Sequence, residues 1–316
     1  MDAIKVSVVT ITYNQEKYLP HTLESIVDQK VDFKIEALVG DDCSPDGTAD
    51  VVRKYAEKYP DIIIPFIREK NLGMSSNEMD LIKRAKGEYI AFLEGDDYWL
   101  DEDKLQKQVD FLDAHPDYAA CFGQFIVVDE NDVRHPEEEQ YKPYKKDKGD
   151  YTIREFEKYI FPGQTGTSMY RRSSFEKMLK KLEEIHFDLG KLVDVTVILG
   201  MLAFGKMYNL GEIVSAYRYV LNVNSGSWSS KNDVYSPEPL IKYLDGMKDM
   251  EKLAESLGLQ LDFDERRTYE IDKLYDNKGT FNKKDERMIR KKIKDGYNSK
   301  IKYYKTMIKR MLKAEH

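Results

Sequence analysis

The sequence predicts an α/β protein: a mostly parallel sheet with helices packed on its faces. Two observations carry this. β-branched runs such as Val6-Ser7-Val8-Val9-Thr10-Ile11 recur through the first third of the chain, as expected of strands buried on both faces. Between them, apolar residues return at helical spacing, and strand–helix–strand repeated this way builds a parallel sheet. The 316 residues are 41% hydrophobic, enough to bury a proper core.

After the first strand, Leu19, Leu23, Ile26 and Val27 mark a helix, and Ile35 to Val39 a second strand. Asp46-Gly47-Thr48 supplies turn and cap for a helix carrying Val51, Val52, Tyr55, Ala56 and Tyr59. Ile62-Ile63-Ile64-Pro65-Phe66-Ile67 reads as a third strand, and its proline predicts an edge position. A helix over 76–85 leads to the fourth strand, Tyr89-Ile90-Ala91-Phe92-Leu93. The stretch from Glu130 to Asp150 is polar and reads as a loop or excursion. Residues 163–230 return to strand and helix patterns, and from about Ser236 the pattern is helical and charged. The expected division is 1–230, split near 115 into two halves, and a helical extension over 231–316.

Net charge is −7, which argues against a nucleic-acid binder. Two cysteines, Cys43 and Cys121, exclude a disulfide scaffold and point to a reducing cytoplasm. Met1-Asp2-Ala3-Ile4-Lys5 lacks the order of a signal peptide. The uncharged stretch from Val195 to Gly205 has 11 residues, short of the roughly 20 a spanning helix needs. Charge is unevenly spread: residues 283–316 carry +9 and the first 282 carry −16. In that tail Met288, Ile289, Ile293, Tyr297, Ile301, Tyr304, Ile308, Met311 and Leu312 form an apolar stripe among lysines. Such a helix suits the inner face of the cell membrane, or packs on the body or on a partner subunit such as a second copy of the chain.

Ligands of parallel sheets bind beyond the carboxyl ends of the strands. Three clusters fall there: Thr12-Tyr13-Asn14, Gly40 through Thr48, and Glu94-Gly95-Asp96-Asp97-Tyr98-Trp99. Three carboxylates within four residues repel one another, and Mg²⁺ or Mn²⁺ shared with substrate phosphates would relieve that; a solvated turn before a helix is the plain alternative. Asp46 and Gly47 are turn chemistry, which leaves the Asp41-Asp42 pair to be explained. An aspartate at a strand end can accept hydrogen bonds from a base or a ribose.

The ordered set Val8 to Asn14, Gly40 to Thr48, Asn71-Leu72-Gly73 and Gly87 to Asp97 resembles family 2 glycosyltransferases of the GT-A fold, the inverting type of bacterial polysaccharide synthesis. The resemblance implies that Asp42 reads a nucleobase, usually uracil, with Thr12, Tyr13 and Asn14 lining the pocket and Asn71 and Gly73 passing close to the nucleotide. It implies Asp96, with Asp97 beside it, as the metal-binding carboxylate for Mn²⁺ or Mg²⁺. Glu94 stands where the family commonly has an aspartate. Gly163 to Arg171 resembles the strand beneath the acceptor pocket, and Asp194 the catalytic base, with Asp188 and His186 as the fallback and an N-cap as the plain reading of Asp194. Ser215 to Arg218, with Ser227-Trp228-Ser229, resembles the closing segment over the donor. Trp228 either stacks on the sugar or packs a loop. Many relatives carry a metal-binding histidine after the Tyr-Arg step; here Asn222 and Asn224 stand near that place. Arg171 and Arg172 read as a surface pair. The implied activity is transfer from a UDP-sugar to a glycan acceptor, such as a lipid-linked one, in envelope or capsular polysaccharide synthesis. A nucleotidyltransferase and a silent, scaffold-type relative are the alternatives.

Overall fold

The computed structural model describes residues 3–140, 142–219 and 237–267, with Lys283, Lys284, Arg287 and Lys291 beyond. Two compact units divide near residue 231.

The first unit begins with β1 (Ile4–Thr12), α1 (Leu19–Val27), β2 (Lys34–Asp41), α2 (Thr48–Lys58), β3 (Ile63–Ile67), α3 (Met74–Arg84) and β4 (Tyr89–Phe92). β5 (Tyr98–Trp99), α4 (Lys104–Ala114) and β6 (Tyr118–Val128) follow. Then come α5 (Pro136–Glu139), β7 (Gly149–Tyr151), α6 (Ile153–Glu157), a 3-10 turn (Thr165–Thr167) and β8 (Met169–Arg171). α7 (Arg172–Glu184), a second 3-10 turn (Leu189–Lys191), α8 (Asp194–Leu202) and β9 (Lys206–Arg218) complete it.

Among the described residues the sheet runs β3-β2-β1-β4-β8-β6-β9-β5, with β7 on β9. The first four strands are parallel, and Pro65 lies on the edge strand, where a missing amide costs least. Beyond β4 the sheet is mixed: β8 is antiparallel to β4 and β6, while β6 and β9 run parallel. The parallel pairing is continuous through the first four strands and recurs between β6 and β9.

Side chains alternate across the strands. Val6, Val8, Ala37, Val39, Tyr89 and Ala91 pack with Leu19, Leu23 and Ile26 of α1, Val52 of α2 and Leu105, Val109 and Leu112 of α4. Phe92 faces the other way, against Tyr170 at 5.7 Å and Phe175 of α7 at 6.2 Å between ring centroids. The carboxyl ends of the parallel strands β1, β2 and β4 meet at one rim.

The second unit contains α9 (Pro237–Ser256) and a return in which buried Phe263 donates its amide to Glu251 at 3.0 Å. Among the described residues no helix is long and apolar enough to cross a membrane. The amphipathic stripe of the tail, Asn222, Asn224 and Trp228 lie outside the described residues.

Candidate active site

The rim is built from strand tips that flank β1. Asp42 donates its amide to the Thr12 carbonyl at 3.0 Å on one side, and Gly95 donates to Ile11 at 3.0 Å on the other. Gly95 has no room for a side chain: a Cβ there would stand 2.7 Å from Thr12 Oγ1. The structure thus brings Thr12, Asp42, Glu94 and Asp96 to one edge.

On the β2 side, Asp42 is buried and works with the segment that follows β3. One carboxylate oxygen accepts the Leu72 amide at 2.7 Å and the other the Gly73 amide at 2.9 Å. Asn71 Nδ2 returns a bond to the Asp42 carbonyl at 3.0 Å. Gly73 sits at φ +83°, a conformation that favours glycine and that turns its amide onto the carboxylate. Asn14 donates its amide to Ser44 Oγ at 3.0 Å, tying the β1 and β2 tips together, while Tyr13 is exposed beside them.

On the β4 side, the carboxylates divide by role. Asp97 is buried: one oxygen accepts Gln164 Nε2 and the other the Arg218 amide, each at 2.8 Å. Asp97, grouped with Asp96 as a metal ligand on sequence, has both its oxygens engaged by protein donors. Asp96 is half-buried and hydrogen-bonds with Gln15. Glu94 has a buried Oε2 with no hydrogen-bond partner. Burial first, then Asp97, Asp194 and Asp96, push the Glu94 carboxyl well above the usual range. A deprived oxygen among like charges is the chemistry a cation satisfies. Among the described residues no three His, Cys, Asp or Glu side chains form a metal shell. The residues present fit an ion held by one or two carboxylates and completed by phosphates, as Mg²⁺-type sites commonly are.

Asp194 opens α8 and faces these acids. Thr165 Oγ1, from the first 3-10 turn, donates to Asp194 Oδ2 at 2.9 Å. That turn is held from below: Trp99 Nε1 donates to the Gly166 carbonyl at 2.7 Å and Gln108 Nε2 to Thr167 at 2.9 Å. Asp194 keeps a water-facing surface, yet desolvation of its carboxyl raises it above the ordinary value against the opposing Thr165 hydrogen bond. The fallback is occupied differently: Asp188 caps the second 3-10 turn through the Gly190 amide at 3.1 Å. Arg171 and Arg172 lie at the opposite end of the sheet, donating to the Leu112 and Gly87 carbonyls.

The structure adds Glu78, which the motifs do not mark, and shows what Arg218 of the Ser215–Arg218 segment does. Glu78, on α3, is pushed up to about 8 by burial and then by Asp194. Arg218 is buried under the acidic motif. It donates to the Asp96 carbonyl at 2.9 Å, to the Asp129 carbonyl at 2.7 Å and to Asp132 at 2.7 Å, with its guanidinium 4.5 Å from the Tyr18 ring.

A family model described as Glycosyl transferase family 2 matches residues 7–179, more than half of the chain. An uncharacterized protein of Mycobacterium tuberculosis strain H37Rv is 40% identical over 132 residues, which is 42% of this chain and 38% of that one. TuaG of Bacillus subtilis, named as a glycosyltransferase of teichuronic acid biosynthesis, is 40% identical over 107 residues, 34% of this chain and 41% of its own. The chain therefore spans about two fifths of these curated relatives. Among solved structures, S. aureus TarS 1-349 in complex with UDP-GlcNAc superposes with a TM-score of 0.60 at 23% identity, covering 84% of this chain and 70% of that one. This likeness shows the shared GT-A fold.

Proposed function

The chain belongs to glycosyl transferase family 2, and from that premise we propose that it moves a sugar from a uridine diphosphate sugar to a saccharide hydroxyl with inversion. One observation carries the reading: Asp42 and the Glu94–Asp96 pair flank the tip of β1 from opposite sides, with Asp194 across the cleft from the latter. A donor laid over the tip would have its base at Asp42 and its diphosphate at Asp96.

In this reading Thr12, Tyr13 and Asn14 line the base pocket, and the Asp42 carboxylate, fixed by the Leu72 and Gly73 amides, accepts from the base. Asp96 with Glu94 would hold Mn²⁺ or Mg²⁺, which supplies positive charge to the departing diphosphate. Asp97, bound by Gln164 and Arg218, fixes the backbone that presents Asp96. Asp194 takes the proton of the acceptor hydroxyl as its oxygen attacks the anomeric carbon; the bond to the phosphate oxygen breaks and UDP leaves. Thr165 steers that carboxylate through its hydroxyl. The acceptor class, an envelope glycan, fits TuaG and GgaB of Bacillus subtilis, the latter named as a minor teichoic acid biosynthesis protein.

The test is a screen of sugar nucleotides, reading nucleoside diphosphate release with Mn²⁺ and with a chelator. A UDP-sugar should be consumed in a metal-dependent way, and Asp96→Ala should abolish the thermal shift that UDP and Mn²⁺ together produce. Consumption of none, with no shift by UDP, refutes the reading.

A further inference from the structure

The polar excursion between β6 and β8 delivers an aromatic wall to the cleft. Its chain is clamped on both sides of Tyr144: Phe161 donates its amide to the Pro143 carbonyl and Lys145 donates to the Phe161 carbonyl, each at 2.7 Å. Gln124 Nε2 adds a bond to the Lys145 carbonyl at 2.8 Å. So held, the Tyr144 ring stands edge-on to Phe125 at 5.0 Å, and Phe125 meets Tyr217 of β9 edge-on at 6.2 Å. One buried phenylalanine thus supports two half-buried phenols.

Tyr217 immediately precedes Arg218, whose amide donates to the Asp97 carboxylate at 2.8 Å, and Phe125 joins Tyr144 to Tyr217, so both phenols stand beside the acidic motif. Burial, then Asp194, Glu94 and Asp97, raise the Tyr144 hydroxyl; burial, then Asp97, Tyr144, Asp96 and Glu94, raise that of Tyr217. Both therefore stay protonated donors. Among the described residues neither hydroxyl is bonded to the protein. Lys142 completes the edge, its ammonium 5.5 Å from the Tyr217 ring centroid and 3.8 Å from that of Tyr219.

Free hydroxyls on rigid aromatic bodies, next to carboxylates, are what a pyranose ring demands: its C–H face packs on the ring while its hydroxyls find donors and acceptors. We infer that Tyr144 and Tyr217 form the wall on which a pyranose ring of the acceptor saccharide packs, which puts Tyr217, expected from sequence in the segment over the donor, on the acceptor side. The inference rests on the transferase reading above.

The experiment uses the full chain, the UDP-sugar chosen by the donor screen, and a panel of methyl and p-nitrophenyl pyranosides as acceptors. At least one pyranoside should accelerate UDP release. Tyr144→Ala and Tyr217→Ala should each raise the KM for that pyranoside about three- to tenfold, with the KM for the donor moving less than about twofold. Tyr144→Phe keeps the ring on Phe125 and should retain the melting temperature while losing part of the pyranoside affinity. An equal rise in both KM values overturns the inference, as does an unmoved pyranoside KM. Slow donor hydrolysis that no pyranoside accelerates overturns it too, while leaving the transferase reading standing. Failure to bind UDP at all falls on the transferase reading itself.

Discussion

Arg218 is the cation on which the acidic rim is mounted, and Arg218→Ala tests that. The side chain is 1% exposed and makes three hydrogen bonds. Truncation leaves the Asp96 and Asp129 carbonyls open, and it strips Asp97 and Asp96 of a positive neighbour that favours their charged forms. The pair with Asp132 contributes little, since that carboxylate is 46% exposed. Two buried hydrogen bonds from a charged donor at about 1.5–2.5 kcal/mol each put the cost at about 3–5 kcal/mol. For a domain of this size each kcal/mol moves Tm by about 2–4 °C, giving a drop of roughly 6–20 °C. Arg218→Lys keeps the charge and cannot span three acceptors, so it should fall between. Scanning calorimetry measures both, and titration of UDP with Mn²⁺ should show weakened binding in the alanine variant at temperatures where it is folded. A melting temperature within about 2 °C of the parent, with UDP affinity intact, refutes the argument.

The other predictions concern the carboxylates and a buried lysine. Asp194→Asn should retain the thermal shift by UDP yet lose transfer by about 10²–10⁴-fold; surviving transfer places the base elsewhere. Because the Asp194 carboxyl is raised, kcat/KM of the parent should climb with pH through a value above the ordinary aspartate range, and a limb at the ordinary range contradicts this. Glu94 is raised as well, so its contribution to stability is full below the unfolded glutamate value and is lost as pH rises through the folded one. Glu94→Gln should accordingly melt higher than the parent at neutral pH in chelator, with the gap closing toward pH 4; equal melting curves across that window sink it. Lys104, buried over the Trp99 ring at 4.2 Å and bonded to Gln108, is lowered to about 7. Protonating it in the fold is costly below the unfolded lysine value, so Lys104→Met should stabilise most near pH 6 and least near pH 10, read by thermal melts.

Much of the first half was legible because its strands are buried on both faces and must be written in apolar, β-branched residues. Pro65 disclosed an edge for the same physical reason: a central strand needs every amide. The strand-tip clusters were legible since a parallel sheet sends its loops to one rim. The capture of Asp97 by Gln164 and the Arg218 amide was not legible, because adjacent carboxylates look alike in sequence. Glu78 was missed because an acid within Asn77-Glu78-Met79-Asp80 reads as a solvated helix face. Tyr144 was passed over inside a polar stretch whose order comes from distant backbone partners at Phe161 and Gln124 rather than from any local pattern. The reversal at β8 was equally hidden, since strand direction depends on the path of the connection and leaves no periodicity behind.

The clasp between Asp42 and the 72–73 amides has a kinetic corollary. The Asp42 carboxylate is already held by both amides, so a base that meets it is spared the entropic toll of ordering the 72–73 segment. Encounter should then proceed in a single phase, linear in nucleotide concentration, and differences among competing nucleotides should show in how long each stays rather than in how fast each enters.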